Sequence, residues 1–379
     1  MRLTEALSDG PSGRSESGVS GGRELRARPV RSQVLAHLRR YSAGGTSGVV
    51  TLRFDDGPLT DWPFCRILTA LQLPVEIAVP ASFVGRPLRW RVEQLRALVR
   101  AGHVLANHSF SHAAPPKSLD EAIADVHQAD RWFEDHHLPV WTFVQPGSWR
   151  PGGGPGDLGD PERARTFDGA LSGRFVCIEG YTGEPLIPVP IAPERRLGLP
   201  HVTLDDISWS FVEKLLARIV SERLFVQIVV HTVRSVRGFR GTRLAGRLAR
   251  LIARCAHLDT LGHLRWVSLL SGVVAGTGED HNLIDIGRPC STRLGKTTYE
   301  TVEPLMPGVP YRLEWRSANA ASRAAVEVRE RSSEETVRLV ARRRGLRFQA
   351  TFGVHRSGDW QLCLPESAAA PSDPRLIVV

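Results

Sequence analysis

The sequence predicts a parallel α/β architecture followed by a small all-β region, and three observations carry that prediction. Apolar, strand-like runs alternate with helix-like stretches of roughly ten residues or more, from Gly48 to about residue 275. Short polar segments follow the ends of those runs, where α/β barrels place their chemistry. Beyond that point the apolar residues alternate with period two, the pattern of half-buried antiparallel strand.

Residues 1–45 hold Gly, Ser and Arg with few apolar side chains, and predict a disordered arm with a helical pattern only over 30–41. The β-rich run at 48–54 ends in the turn signal Asp55-Asp56-Gly57-Pro58. A helix is expected over 61–71 and a buried strand over 75–79. Apolar residues at 92, 95, 98 and 99 have the helical period and place a helix over 89–100. A short strand at 104–106 follows. A long amphipathic helix over 118–136 opens with Ser118 and Glu121, a capping box. Strands are expected at 140–144 and 225–230, and a helix within 244–256. The span 150–200 is less regular; its Gly- and Pro-rich start at 151–156 reads as a loop, a lid or an insertion. Near the C-terminus Tyr311/Leu313/Trp315, Val326/Val328, Phe348/Ala350/Phe352 and Trp360/Leu362/Leu364 alternate, which suggests a small β-sandwich. The predicted divisions are an arm over 1–45, an α/β domain over 46–275 and a β-rich domain over 280–379, with the boundary near 276–282.

At 379 residues with 42% hydrophobic side chains, the chain is long and apolar enough for one large and one smaller unit. The net charge of +9 would suit an anionic partner. Of the 49 basic residues, however, only Lys117, Lys214 and Lys296 are lysines, and the arginines are spread along the whole chain. That pattern matches composition bias better than a selected basic patch, so no nucleic-acid partner is expected. Cys65, Cys177, Cys255, Cys290 and Cys363 are isolated, which argues against a disulfide framework and against a thiolate zinc site. The N-terminus has no apolar run, so the expectation is a cytoplasmic protein without a signal peptide or transmembrane segment.

Two constellations could do chemistry. Asp55 and Asp56 are adjacent at a strand end, where the chain turns and the two carboxylates can take different tasks. Asp-Gly-Pro is also ordinary turn chemistry. His108 and His112, four apart in Asn107-His108-Ser109-Phe110-Ser111-His112, lie on one face of a helical turn and could chelate one ion. Ser109 stands where a zincin has its Glu, which excludes a standard metalloprotease. Two imidazoles and a carboxylate would leave open positions on a divalent ion, which lowers the pKa of bound water to about 7 and polarises a carbonyl. A second carboxylate could act as general base, and His231, directly after an apolar strand, could supply the proton an amine leaving group needs.

In this order Phe54-Asp55-Asp56-Gly57-Pro58, Asn107-His108-Ser109-Phe110-Ser111-His112 and Ile228-Val229-Val230-His231-Thr232 resemble the NodB-homology polysaccharide deacetylases, carbohydrate esterase family 4. The resemblance covers about 46–275. It implies a distorted (β/α) barrel with fewer than eight strands. It further implies a divalent metal, commonly zinc, on Asp56, His108 and His112, with Asp55 as base and His231 as acid. The substrate implied is an N-acetylated amino sugar in a saccharide or glycoconjugate. Three departures stand out. Arg53 replaces the usual Thr or Ser before Phe54. The third motif, Val144-Gln145-Pro146-Gly147, lacks the Arg that steadies the base, leaving Arg53 or Arg150 to substitute. The fourth-motif Asp has a loose match in Asp205 or Asp206. Pro146, Trp149 and Trp209 are candidates for supporting or substrate contacts, and Trp62, Trp149 and Trp209 could stack on sugar rings or be core. Alternatives are a hydrolase of a non-sugar amide on the same fold and a degenerate, carbohydrate-binding protein.

Overall fold

The computed structural model describes residues 29–42, 45, 47–112, 116–149, 158, 160–181, 183–236, 238–275, 283, 291–293, 296–316, 323–331, 336–344, 347–355, 357–365 and 372–379. The boundary expected at 276–282 and the loop at 151–156 lie outside them.

The first unit alternates strands and helices. In chain order its elements are α1 (Arg31–Tyr41), β1 (Gly48–Phe54), α2 (Trp62–Leu71), β2 (Glu76–Val79), α3 (Val92–Arg100), β3 (Val104–Asn107), α4 (Leu119–Asp135) and β4 (Val140–Val144). There follow α5 (Pro161–Leu171), β5 (Cys177–Glu179), β6 (Ile187–Pro188), β7 (Leu197–Leu199) and β8 (Val202–Thr203). The unit ends with α6 (Trp209–Glu222), β9 (Leu224–Val230), α7 (Gly238–Thr260), β10 (Leu264–Trp266) and α8 (Leu269–Gly272). The sheet order is β6-β9-β1-β2-β3-β4-β5-β7, parallel except for β6 on β9, with β10 beside β1. One short segment pairs with both sides of this sheet, since β7 bonds to β5 and β8, a few residues on, to β9. Every residue of β1 and β9 is buried, as expected for parallel strands covered on both faces. Gly48 opens β1 because α6 crosses so closely: a Cβ there would stand 2.2 Å from the Ile219 carbonyl oxygen.

The second unit comprises β11 (Ser291–Arg293), β12 (Lys296–Glu300), β13 (Pro310–Arg316), β14 (Arg323–Glu330), β15 (Thr336–Arg344), β16 (Arg347–Gly353), β17 (Trp360–Pro365) and β18 (Ser372–Val378). All are antiparallel to their neighbours, as the period-two pattern requires. The expected all-β region is present. The strands form one continuous sheet, β11-β12-β17-β14-β15-β16-β13-β18, because β14 and β13 each bond to partners on both sides.

The disordered arm needs correction where it can be seen. Residues 31–41 are helical, and α1 buries Val34, Leu35, His37, Leu38 and Tyr41. Those side chains share a core with Tyr311, Leu313 and Val378 of the second unit, and with Val49, Val104, Trp141, Cys177 and Phe225 near the starts of the first unit's strands. The antiparallel sheet therefore packs beneath the N-terminal ends of the parallel strands. Polar ties reinforce the contact: Trp141 Nε1 donates to the Pro307 carbonyl at 2.6 Å, and Gln72 Oε1 accepts from the Thr351 amide. The C-terminal ends of the parallel strands point away from this junction. Among the described residues, no helix is long and apolar enough to cross a membrane.

Candidate metal centre

Asp55 directly follows β1, and its amide still donates to the Val230 carbonyl at 3.2 Å, which holds it as an extra strand residue. The chain then turns, with φ of 71° at Asp56 and 56° at Gly57. Asp and Gly tolerate that left-handed region better than other residues do. The turn separates the two carboxylates. Asp55 is buried, 2% exposed, against Arg53, whereas Asp56 stays half-buried beside His108 and His112.

His108 and His112 do meet, with ring centroids 4.8 Å apart, but not on a helical turn as their spacing suggested. The chain after β3 is a loop with φ of 66° at Ser109 and 49° at His112. Asn107 Oδ1 accepts from the Ser109 amide and Ser109 Oγ from the His112 amide, at 2.9 and 3.0 Å. Asp125 of α4 accepts from the amides of Phe110 and Ser111. Side-chain capping thus takes the place of helical bonds, for which Asn, Ser and Asp are suited.

The three side chains fit a small divalent cation. Asp56 Oδ1 is 3.1 Å from His112 Nε2 and 3.6 Å from His108 Nε2, and one donor atom of each residue lies within 4.8 Å of the others. Ligands about 2.0–2.1 Å from a tetrahedral ion stand roughly 3.3 Å from one another, which matches. His108 Nδ1 lies 2.9 Å from the Val144 carbonyl oxygen. With a cation bound, a proton on Nδ1 would satisfy that carbonyl and leave the Nε2 lone pair for the ion. Burial raises the Asp56 carboxyl, but hydrogen bonds and charge from both histidines outweigh it and hold the group far below the usual carboxylate range.

Beside this cluster stands a buried polar array. Arg53 forks onto Asp55, with Nε to Oδ1 at 2.6 Å and Nη2 to Oδ2 at 3.0 Å. Its remaining arm, Nη1, contacts Glu179 at the end of β5. Glu76 accepts from Thr142 Oγ1 at 2.5 Å and from Gln227 Nε2 at 3.2 Å. Burial pushes both glutamates up, Glu179 the more. For Asp55 burial also acts upward, but Arg53, His108 and His231 prevail and keep it below its ordinary value.

His231 follows β9 and completes the group. Its Nδ1 lies 2.7 Å from Asp205 Oδ2, its amide donates to Asp205 Oδ1 at 3.1 Å, and its Nε2 stands 3.9 Å from Asp55 Oδ2. Burial lowers the imidazole, but the bond to Asp205 and the charge of Asp55 raise it more, so its net shift is upward. Arg247 of α7 secures the Asp205 loop by donating to the carbonyls of Ile207 and Asp205 at 2.6 and 2.5 Å.

The candidates Arg53, Asp55, Asp56, His108, His112, Asp205 and His231 therefore converge. Others do not. The Asp206 side chain is 91% exposed and, among the described residues, pairs with Arg234 at 3.5 Å. Trp149 is 1% exposed and packs with Phe143 and Phe167, so it offers no face to a sugar. Pro146 is buried, and its carbonyl accepts from the Trp149 amide. Trp209 is half-buried beneath Arg250, whose guanidinium carbon is 4.2 Å from the ring centroid. Arg150 lies outside the described residues.

Sequence reasoning missed Glu76, Glu179, Asp61, Asp125 and His201. Asp61 accepts from Thr232 Oγ1 at 2.5 Å, tying the Asp55 turn to the residue after His231. His201 sits edge-on to Tyr181 at 4.9 Å. Burial, with the charge of Arg53 behind it, lowers its pKa to about 3. A charge within an apolar strand, as in Val75-Glu76-Ile77 and Cys177-Ile178-Glu179, was the available signal for the two glutamates.

Residues 43–155 match the family model described as polysaccharide deacetylase. The motif resemblance is thus borne out over that span. Three solved structures show the range of similar proteins. A family 4 carbohydrate esterase from Streptomyces lividans, in complex with acetate, is 17% identical, with 55% of this chain and 90% of that one covered and a TM-score of 0.33. A family 4 acetyl xylan esterase from Clostridium thermocellum, with a cobalt ion, is 18% identical over 57% and 92%, with a TM-score of 0.33. A pseudoenzyme of the same family from Bacillus anthracis is 13% identical over 56% and 66%, with a TM-score of 0.32.

Proposed function

We propose that the chain is a metal-dependent hydrolase that removes N-acetyl groups from an amino sugar in a polysaccharide or glycoconjugate. The observation that carries this reading is the convergence of a three-donor cluster, Asp56, His108 and His112, with a buried carboxylate on one side and a carboxylate-oriented imidazole on the other. The sheet is read accordingly as a distorted barrel with its site at the C-terminal ends of the strands. A divalent ion on the cluster, zinc being the first choice for this donor set, supplies Lewis acidity toward water and the acetamide carbonyl.

The protein's own groups do the rest. Asp55 accepts a proton from the attacking water, and the Arg53 fork keeps it ionised and aimed. Glu179 holds the other arm of Arg53, so Arg53, a strand residue, takes over the task of the absent third-motif arginine. His231 gives its Nε2 proton to the departing nitrogen as the C–N bond breaks, leaving acetate and a free amine. Asp205 fixes its ring and favours the protonated form.

The test is acetate release from N-acetylated saccharides, with non-sugar acetamides alongside, before and after chelation and metal return. Asp55→Asn should lower the rate about 10²–10⁴-fold while the metal still binds. Release from non-sugar amides alone would transfer the reaction to another substrate class. Absence of release from every substrate with metal bound would defeat the enzymatic reading.

A further inference from the structure

Away from the candidate ligands, a cleft of about 660 Å³ runs between the outer face of α2, the end of α3 and the strand β15 of the antiparallel sheet. Small-molecule sites range over roughly 300–1,000 Å³, so the cleft has the capacity for one. Arg66, Arg100, Arg338 and Arg342 line it, and no Asp or Glu is among its lining residues. Arg338 is partly committed, with Nε 3.6 Å from Glu327. Arg66, Arg100 and Arg342 have no carboxylate partner among the described residues.

Some arginines elsewhere are matched: Arg174 with Asp130, Arg218 with Glu222, Arg329 with Glu327 and Arg40 with Glu303. Composition bias supplies many arginines, but here four of them line one concavity whose lining holds no acidic side chain. Like charges facing a common gap, beside low-dielectric walls, focus a positive potential that an anion relieves. Trp62, 38% exposed, stands in the lining at the start of α2 and meets Trp90 edge-on at 5.8 Å. An indole face next to guanidinium forks suits a ring that carries anionic substituents.

We propose that this cleft binds an anionic saccharide, with its phosphate or carboxylate groups on the arginines and a sugar ring against Trp62. Binding here needs neither the metal cluster nor turnover, so it stands or falls separately from the deacetylase reading.

The test is calorimetric titration of the full chain with a sugar phosphate, a uronate oligosaccharide and a neutral N-acetylated oligosaccharide, at two ionic strengths. One or both anionic ligands should bind, more weakly at high salt, and which one binds identifies the anionic group. Arg66→Glu with Arg342→Glu should weaken that binding at least about tenfold, the scale of one lost charge-assisted hydrogen bond. His108→Ala should leave it unchanged. Arg66→Gln with Arg342→Gln should weaken it as well, and serves if charge reversal disturbs folding. Equal binding of the neutral ligand, absence of anion binding, or binding that survives both double variants would overturn the proposal.

Discussion

The two ends of the parallel strands are built from the same segments yet carry opposite chemistry. Near their starts stand Val49, Val104, Trp141, Cys177 and Phe225, all sharing an apolar core with the antiparallel sheet. Beyond or at their ends stand Asp55, His108, Glu179 and His231, all polar and mutually bonded or in charge contact. The lower end gains stability from area removed from water. The upper end takes charged groups out of water and relies on pairing to offset that cost. Substitutions at the two ends should therefore separate activity from stability.

The largest expected effect is at the upper end. His231→Ala should reduce turnover about 10²–10⁴-fold while urea denaturation shifts by no more than about 1 kcal/mol. A variant that kept its rate but lost stability would place His231 in the structural class instead. Next comes the lower end of β4. Trp141→Ala removes a buried indole and its bond to Pro307, and should cost about 3–5 kcal/mol with turnover per folded molecule retained. Because one apolar cluster spans both units, fluorescence and circular dichroism should report one unfolding transition for both. Two separated transitions would mean that the junction is weaker than its packing implies.

Acidification should act on the lower end through two buried histidines. His103 Nδ1 accepts from the Val75 amide at 3.3 Å, and its Nε2 lies 2.7 Å from Thr69 Oγ1, an arrangement that needs the neutral ring. His37 Nε2 lies 2.9 Å from Tyr311 Oη and ties α1 to the antiparallel sheet. Burial lowers each from 6.5 to about 4, with Arg40 adding to the effect on His37. A lowered folded-state value means that the unfolded chain binds the proton first. The stability is thus intact above pH 6.5 and is lost as pH falls toward 4, by about 3 kcal/mol per group. Denaturation curves at several pH values, with His103→Gln as comparison, would show it; a flat profile would contradict the assignment.

A smaller effect is expected from Asp205→Asn. With its charge and hydrogen bond weakened, less opposes the effect of burial on His231 and its pKa falls, so the alkaline limb of the rate profile should move to lower pH. An unmoved limb would assign the proton donor elsewhere.

Much of this comparison is legible in the sequence, and the limits have physical causes. The alternation of apolar and helical periods locates most strands and helices of the first unit, because parallel strands buried on both faces read as continuous apolar runs. Asp55, Asp56, His108, His112 and His231 stand out because each sits just past such a run. The geometry joining His108 to His112 is not legible, since an i,i+4 pair reads as helix unless the αL turns at Ser109 and His112 are known. The helix α5 and strand β5 within 150–200 escape because they are short and lie among Gly and Pro, and Glu179 escapes with them. Helix α1 is visible only as a weak pattern at 30–41. It becomes a stable element by packing against β13 and β18, which are far away in sequence.

The central claim is that Asp56, His108 and His112 form one cation site. Its most direct test is calorimetric titration of chelator-treated protein with zinc, for the natural chain and for His108→Ala and His112→Ala. One equivalent should bind to the natural chain, and each substitution should weaken binding at least about a hundredfold, more than the usual loss for a supporting partner of a ligand. Undiminished zinc binding in both variants would contradict the claim.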